Sequence, residues 1–442
     1  FGGGFGEFPH DHYFIHKGVV ASDRSLKPHF PELKHAYQWI SILKKDLSQG
    51  LVILKNRYHF TNLNKFAGKW ELTEDGKTIS KGILPVIELA PGAEKDFKLP
   101  YKVTPKPGAE YFLRVSFELA SDRLWAKKGY EIASQQFELP VSIPAQESEE
   151  KGGNLTLTEA NGLIKIKGVD FNIEFDRRKG TFVKLEKAGE SYLQEADGPM
   201  LHLWPAPHQI DDMWAYRDWE KFGLKTINWV VDEVKSSQVS PNSVEIKVSL
   251  TGTGKQDFTV KHNVAYAING NGLIKAVNDV NFSGPKVILA RIGVRMFLNK
   301  GVDKFDYLGR GPMENYADRK IGSDVGHYFS TVNEQLTPYE KPMECGNHED
   351  VRWANLVSQK GSGIAIKRDR DLFQVSALPY SDEEMEKVEY KIDLPESKGT
   401  VLCISHKTLG VGSNGCGPRP LEPYMVHARS CSFTYLIQLI KR

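Results

Sequence analysis

Leu163-Ile-Lys-Ile-Lys-Gly-Val-Asp-Phe-Asn-Ile-Glu-Phe-Asp-Arg-Arg-Lys-Gly180 alternates apolar and polar side chains along its length. Ile164 and Ile166, then Val169, Phe171, Ile173 and Phe175, alternate with polar neighbours, and Arg178-Lys-Gly180 closes the run as a turn. A period of two sends one set of side chains to a single face, so the stretch predicts strands with one buried side. Downstream, Val244, Ile246 and Val248 repeat the pattern. Asn269-Gly-Asn-Gly272 separates Val264, Tyr266 and Ile268 from the strand that follows. No convincing long helical period interrupts residues 155–442, which therefore predict one large antiparallel sandwich.

Upstream of that span, Pro144-Ala-Gln-Glu-Ser-Glu-Glu-Lys-Gly-Gly-Asn154 is polar and reads as a linker, residues 144–154. Residues 41–143 return to period two. Val52 and Leu54, Tyr58 and Phe60, and Trp70 and Leu72 alternate, Asp75-Gly76 is a hairpin signal, and Pro91-Gly92 and Pro107-Gly108 mark turns. With Phe112, Val115 and Phe117 on a further strand, these short strands predict an immunoglobulin-like sandwich. Residues 1–40 differ. Phe1-Gly-Gly-Gly-Phe-Gly6 is a loop, Gly18-Val19-Val20 reads as a short strand, and Pro31 opens a helix with Leu33, Ala36, Tyr37 and Ile40 on one face. That is one βα step.

Composition narrows the function classes. The chain has 442 residues, enough for about three units at about 150 each. Its hydrophobic fraction of 40%, with 22 Phe, 17 Tyr and 8 Trp, suits a packed core. A net charge of +2, with both signs scattered, argues against a nucleic-acid partner, which needs a concentrated basic face. No apolar run approaches the ~18 residues of a membrane-spanning helix. Cys345, Cys403, Cys416 and Cys431 lack metal-ligand spacing and read as free or buried thiols. Phe1 follows no signal-like segment, and the compartment, cytoplasm or periplasm, stays open.

Three stretches, in order along the chain, resemble the large bacterial β-galactosidases of glycoside hydrolase family 2. Tyr307-Leu-Gly-Arg-Gly-Pro-Met-Glu-Asn-Tyr-Ala-Asp-Arg319, Thr337-Pro-Tyr339 and Pro342-Met-Glu-Cys-Gly-Asn-His-Glu-Asp-Val-Arg-Trp353 are similar to the last domain of that family. Phe1-Gly-Gly-Gly-Phe-Gly-Glu-Phe-Pro-His-Asp11, Gly18-Val-Val-Ala-Ser-Asp-Arg24 and Lys34-His35 are similar to the end of its catalytic barrel. Trp125-Ala126 and Gln136-Phe-Glu-Leu-Pro140 match the sandwich between. The resemblance implies a mainly β chain: a remnant of a (β/α)8 barrel (1–40), an immunoglobulin-like sandwich (41–143), a linker, and a galactose-mutarotase-like β-supersandwich (155–442). It also implies a retaining β-galactosidase as parent, with two glutamates about 5 Å apart and both upstream of Phe1. The chain alone is then expected to be inactive, with no catalytic residue in it. Its implied partners are the remainder of the enzyme chain, a β-galactoside sugar and further copies of itself.

The same resemblance points to residues that touch sugar or metal. His10 and Asp11 stand where the family has residues near a magnesium shell, Phe14 where a backbone carbonyl faces sodium, and Lys17 where a sodium-binding asparagine is usual. The alternative is an ordinary polar loop. Magnesium and sodium thus belong to the parent enzyme and not to this stretch by itself. Pro205-Ala-Pro207 resembles the start of a loop over the galactose pocket, shortened here, so Asp211, Asp212 and Trp214 become binding candidates; core tryptophan and solvated turn are the other reading. Gly410-Val-Gly-Ser-Asn-Gly-Cys416-Gly-Pro418 matches a loop that ends in a sugar-stacking tryptophan in the best-known members; Cys416, or Gly417 in another alignment, takes that place here, and a small buried residue in a Gly-rich turn is the other reading.

Glu344, His348, Asp350 and Arg352 lie within nine residues, and His with Glu is a sugar-epimerising pair in mutarotase-like sandwiches. A hydrogen-bonded structural cluster is the favoured reading, as it is for Glu314, Asn315, Asp318 and Arg319. A self-contained carbohydrate-binding or epimerising sandwich is the alternative function. The fragment reading also expects exposed apolar side chains at Val19, Val20, Leu33 and Tyr37.

Overall fold

The computed structural model describes residue 3 and residues 5–10, 18–145, 152–207, 213–411 and 419–441. Two compact units emerge: Phe1–Pro28, Glu150–Lys320 and Tyr328–Arg442 form the larger, and His29–Glu149 with Ile321–His327 the smaller. The fold is mainly β.

The smaller unit is a two-sheet sandwich. One sheet orders Ile40–Asp46, Leu51–Asn56 and Glu94–Lys98; the other orders Lys77–Ile83, Phe66–Glu74, Tyr111–Leu119 and Glu131–Glu138, all antiparallel. The Asp75-Gly76 signal holds. Glu74 pairs with Lys77, and the two turn residues have φ of 46° and 76°, as a two-residue hairpin turn of that type requires. Ile42, Val52, Leu54, Trp70, Leu72, Val115 and Phe117 fill the space between the sheets. Phe60 departs from expectation: it lies beyond the strand, 97% exposed, while Tyr58 stacks between Trp39 and Phe66. Helix α1, Phe30–Ala36, has Pro31 in its first turn, as expected, yet buries none of its residues. Leu33 and Tyr37 are exposed.

The larger unit begins with residues from the N-terminal stretch, where Gly18-Val19-Val20 forms no strand. Val20 makes only an isolated bridge to Leu26, closing a local turn in which Ala21 N–H donates to the Ser25 carbonyl at 2.9 Å. The sandwich proper sets a nine-stranded sheet, containing Ser243–Thr253, Thr259–Asn269, Leu273–Ser283 and Cys431–Lys441, against a five-stranded one. The latter orders Met200–His202, Arg291–Asn299, Gly399–Thr408, Phe373–Leu378 and His348–Val351. Leu163–Lys167 and Phe171–Asp176 pair as adjacent strands of a further sheet. Val169, however, sits in the turn between them, 82% exposed, because Gly168 N–H closes on the Phe171 carbonyl and restarts the alternation.

On the strand Arg291–Asn299, Ile292, Val294, Met296 and Leu298 enter the main core. The opposite phase carries Arg291, Gly293, Arg295 and Phe297. Arg291 is nonetheless 3% exposed. This second face is covered by loops and a short helix, whose Ala206, Cys345 and Met385 form a small separate cluster with Leu378 from the end of its strand. Helix α2, Met213–Lys221, corrects the expectation of an aromatic loop: Ala215 and Trp219 point inward from it. Helix α3, Asp382–Lys387, starts at a capping box formed by Ser381 and Glu384.

Candidate functional site

Beneath those covering loops lies a network of buried charges. Asp382, in the first turn of α3, is its centre. Its Oδ2 accepts from His202 Nε2 at 2.7 Å and from Arg295 Nη1 at 3.1 Å, and its Oδ1 accepts from the Ala206 backbone N–H at 2.9 Å. Arg295 also forks onto Glu383 at 2.8 and 2.9 Å. Glu344 pairs with Arg291, accepts from the Tyr316 hydroxyl at 3.1 Å, and its backbone N–H donates to the Ala206 carbonyl at 2.8 Å. Ala206 is thereby held from both sides, and with it the root of the loop that leaves at Pro207.

Burial works against the charge on Asp382, but His202, Arg291 and Arg295 outweigh it and hold the carboxyl well below its usual range. Burial, with Arg295 alongside, pushes His202 down to about 4. Burial thus leaves His202 neutral at pH 7, and Arg295 supplies the positive charge beside Asp382. Burial pushes Glu344 upward while Arg291 pulls it down. His202, Asp382 and Cys403 place potential metal-ligand atoms within 4.8 Å of one another. Arg291 and Arg295 already supply positive charge beside Asp382 there, and burial pushes the Cys403 thiol up to about 11.

A second hub fixes the neighbouring segment. Glu314 accepts from Arg319 Nη2 at 2.8 Å, and from Thr337 Oγ1, the Tyr339 hydroxyl and the Gly346 N–H at 2.7 Å each. Asp318 accepts from the Val411 N–H at 3.1 Å. Gly410 is needed beside it, since a Cβ there would stand 2.6 Å from Asp318 Oδ2. Gly410 N–H also donates to the Tyr424 carbonyl at 3.0 Å. The second loop, which leaves at Val411, thus has a fixed root as well. Lys341, 5% exposed, donates to the carbonyls of Met385, Glu386 and Val388 at 2.9, 2.8 and 2.8 Å, closing the C-terminal end of α3.

Of the sequence candidates, Asp11, Phe14, Asp211, Asp212 and Cys416 lie outside the described residues, as does Lys17. His10 is half-buried, with its ring edge-on to Phe8 at 6.3 Å. Trp214 packs partly against the main core, and the Arg419 guanidinium lies 5.7 Å from its ring. Trp219, 1% exposed, donates Nε1–H to the Ile288 carbonyl at 2.7 Å and is a core residue. His348 is fully buried. Its Nδ1 lies 3.0 Å from both the Tyr307 hydroxyl and the Arg310 carbonyl, and its Nε2 meets Gln335. Asp350 pairs with Arg310 and Lys320. The structural reading of these clusters therefore fits. Sequence reasoning missed His202, Arg291, Arg295 and Asp382, whose one local signal is a pair of arginines in the polar phase of a strand.

The chain's residues 167–437 match the model of the β-galactosidase small chain, and residues 52–140 match β-galactosidase domain 4. The chain belongs to the β-galactosidase small-chain family. A β-galactosidase of Priestia megaterium is 28% identical over 446 residues, covering 99% of this chain and 42% of that protein. One of Lactobacillus delbrueckii subsp. bulgaricus is 30% identical over 433 residues, covering 96% and 41%. The chain thus spans about two-fifths of the length of these curated relatives. Among solved structures, a putative aldose 1-epimerase of Escherichia coli K12 aligns over 65% of this chain and 100% of its own, at 9% identity and a TM-score of 0.38. Galactose 1-epimerase of Lactobacillus acidophilus aligns over 65% and 98%, at 10% identity and 0.37.

Proposed function

We propose that this chain is the noncatalytic C-terminal region of a retaining β-galactosidase of glycoside hydrolase family 2, whose catalytic barrel it supports and whose sugar pocket it shapes. The substrate is a terminal β-D-galactosyl residue. One observation carries the pocket-shaping role: both loops that resemble pocket loops start from backbone held by a carboxylate, Ala206 by the buried Asp382 and Val411 by the half-buried Asp318. Fixed loop roots hold sugar-binding groups within the small tolerance that selectivity needs. Exposed Leu33 and Tyr37 offer apolar surface to the rest of the enzyme, and further copies of the chain complete the assembly. Magnesium and sodium belong to the parent enzyme in this reading, and no step here runs through either. Epimerisation finds no support at His348, whose ring is sealed by its partners.

The test is hydrolysis of a nitrophenyl β-galactoside. The 442-residue chain alone gives none, and the same chain joined to its upstream coding sequence gives turnover. Hydrolysis by the chain alone overturns the reading. In the joined enzyme, Asp382→Asn loosens Ala206 and lowers kcat/KM by about tenfold or more, while unchanged kcat/KM removes the loop-root argument.

A further inference from the structure

We propose that the five-stranded sheet carries a binding pocket for a neutral monosaccharide, with Glu349, Gln374 and Thr408 as its hydrogen-bonding floor. These residues lie on three successive strands, His348–Val351, Phe373–Leu378 and Gly399–Thr408. They are 4%, 8% and 5% exposed, and each has a buried side-chain oxygen with no partner: Glu349 Oε1, Gln374 Oε1 and Thr408 Oγ1. A buried polar atom left unpaired costs about 1–3 kcal/mol. All three residues line one cavity, of about 290 Å3, and a small side-chain rotation that turns these oxygens toward it lets a ligand supply their bonds.

The walls say which ligand. Phe373, Tyr424 and Met425 line the same cavity, so apolar and aromatic surface faces a polar floor. A pyranose has that division: hydroxyls to donate to the two acceptors and exchange with the threonine hydroxyl, and C–H faces to lie on a ring. The volume is near the lower end, about 300 Å3, of small-molecule pockets, which suits one sugar ring and not a chain. A metal cation fits less well. Lys407 lines the cavity, and Lys320 already donates to the other oxygen of Glu349 at 3.3 Å. An anion would meet Glu349 and Asp350. Burial also raises the Glu349 pKa, which favours a neutral ligand further. The inference uses no step of glycoside hydrolysis and stands or falls independently of it.

Saturation-transfer NMR on the 442-residue chain with D-galactose and D-glucose tests it. The expected result is saturable transfer to the ring protons of at least one sugar. Gln374→Leu and Thr408→Val each weaken it about tenfold, as the loss of a specific hydrogen bond does. Both variants remove an unpaired oxygen, so far-UV circular dichroism and the thermal midpoint stay at or above wild type. Failure of both sugars to show transfer overturns the proposal. So does binding that neither variant weakens, or a thermal midpoint raised by sodium or magnesium chloride and by neither sugar. If a variant does not fold, the wild-type titration decides alone: a stoichiometry of one sugar supports the pocket, and no saturation rejects it.

Discussion

The smaller unit and the larger one solve the same problem, two sheets over a core, with different materials. Among the described residues of the smaller unit, the buried polar side chains are Asn56, Ser116 and Ser323. Asn56 is satisfied by the Thr61 and Leu89 carbonyls at 2.9 Å each. The larger unit buries Arg291, Glu314, Lys341, Glu349, Arg352 and Asp382, together with His202, His262 and His348. Desolvating ions costs several kcal/mol apiece, and apolar residues of similar volume would often be at least as stable. The contrast teaches that the larger unit's polar interior serves positioning. Its charges hold the loop roots, whereas the smaller unit holds its shape chiefly by apolar burial.

The largest expected break in that contrast comes from acid. Burial pushes His202, His262 and His348 down to about 4 from 6.5. The unfolded chain therefore binds more protons between those values, and stability is lost as pH falls from 6.5 to 4, by at most about 3 kcal/mol per group. None of the smaller unit's described histidines is buried. Thermal scans from pH 7 to pH 4 should show the larger unit's transition falling well ahead of the other.

Next comes Glu314→Ala, which leaves the largely buried Arg319 side chain without its carboxylate and should cost about 3 kcal/mol. Urea unfolding followed by hydrogen exchange should assign the loss to the larger unit; an equal loss in both would erase the distinction. Ile42→Val, in the apolar core of the smaller unit, should cost about 1 kcal/mol and move its transition only. The smallest effect belongs to Lys127→Ala. Its ion pair with Asp122 is highly exposed, and the change should be within about 0.5 kcal/mol by the same urea titration.

Much of this was legible in the sequence where neighbours along the chain decide the outcome. Asp75-Gly76 placed a hairpin because only residues tolerant of positive φ close a two-residue turn of that hand. The alternation through Val244, Ile246 and Val248 placed a strand with one buried face. Local pattern failed where a short loop changed phase. Val169 and Phe60 fit the alternation by spacing alone, but each falls beyond a strand end and is exposed. Gly18–Val20 offered strand formers, yet a strand needs a partner edge, and only Leu26 supplies one. The run after Pro207 read as an aromatic loop, but its Met213–Lys221 part winds into α2 because Ala215 and Trp219 share an inward face one turn apart.

By itself the sequence determined the β character, the turns and the family resemblance at Tyr307–Arg319 and Pro342–Trp353. Each of those is carried by residues close together in the chain. Only the tertiary structure decided that Asp382 holds His202, Arg295 and Ala206, 180, 87 and 176 residues away, or that Glu349, Gln374 and Thr408 share one cavity. Sheet order brings those positions together, and no local periodicity encodes which distant strands become neighbours.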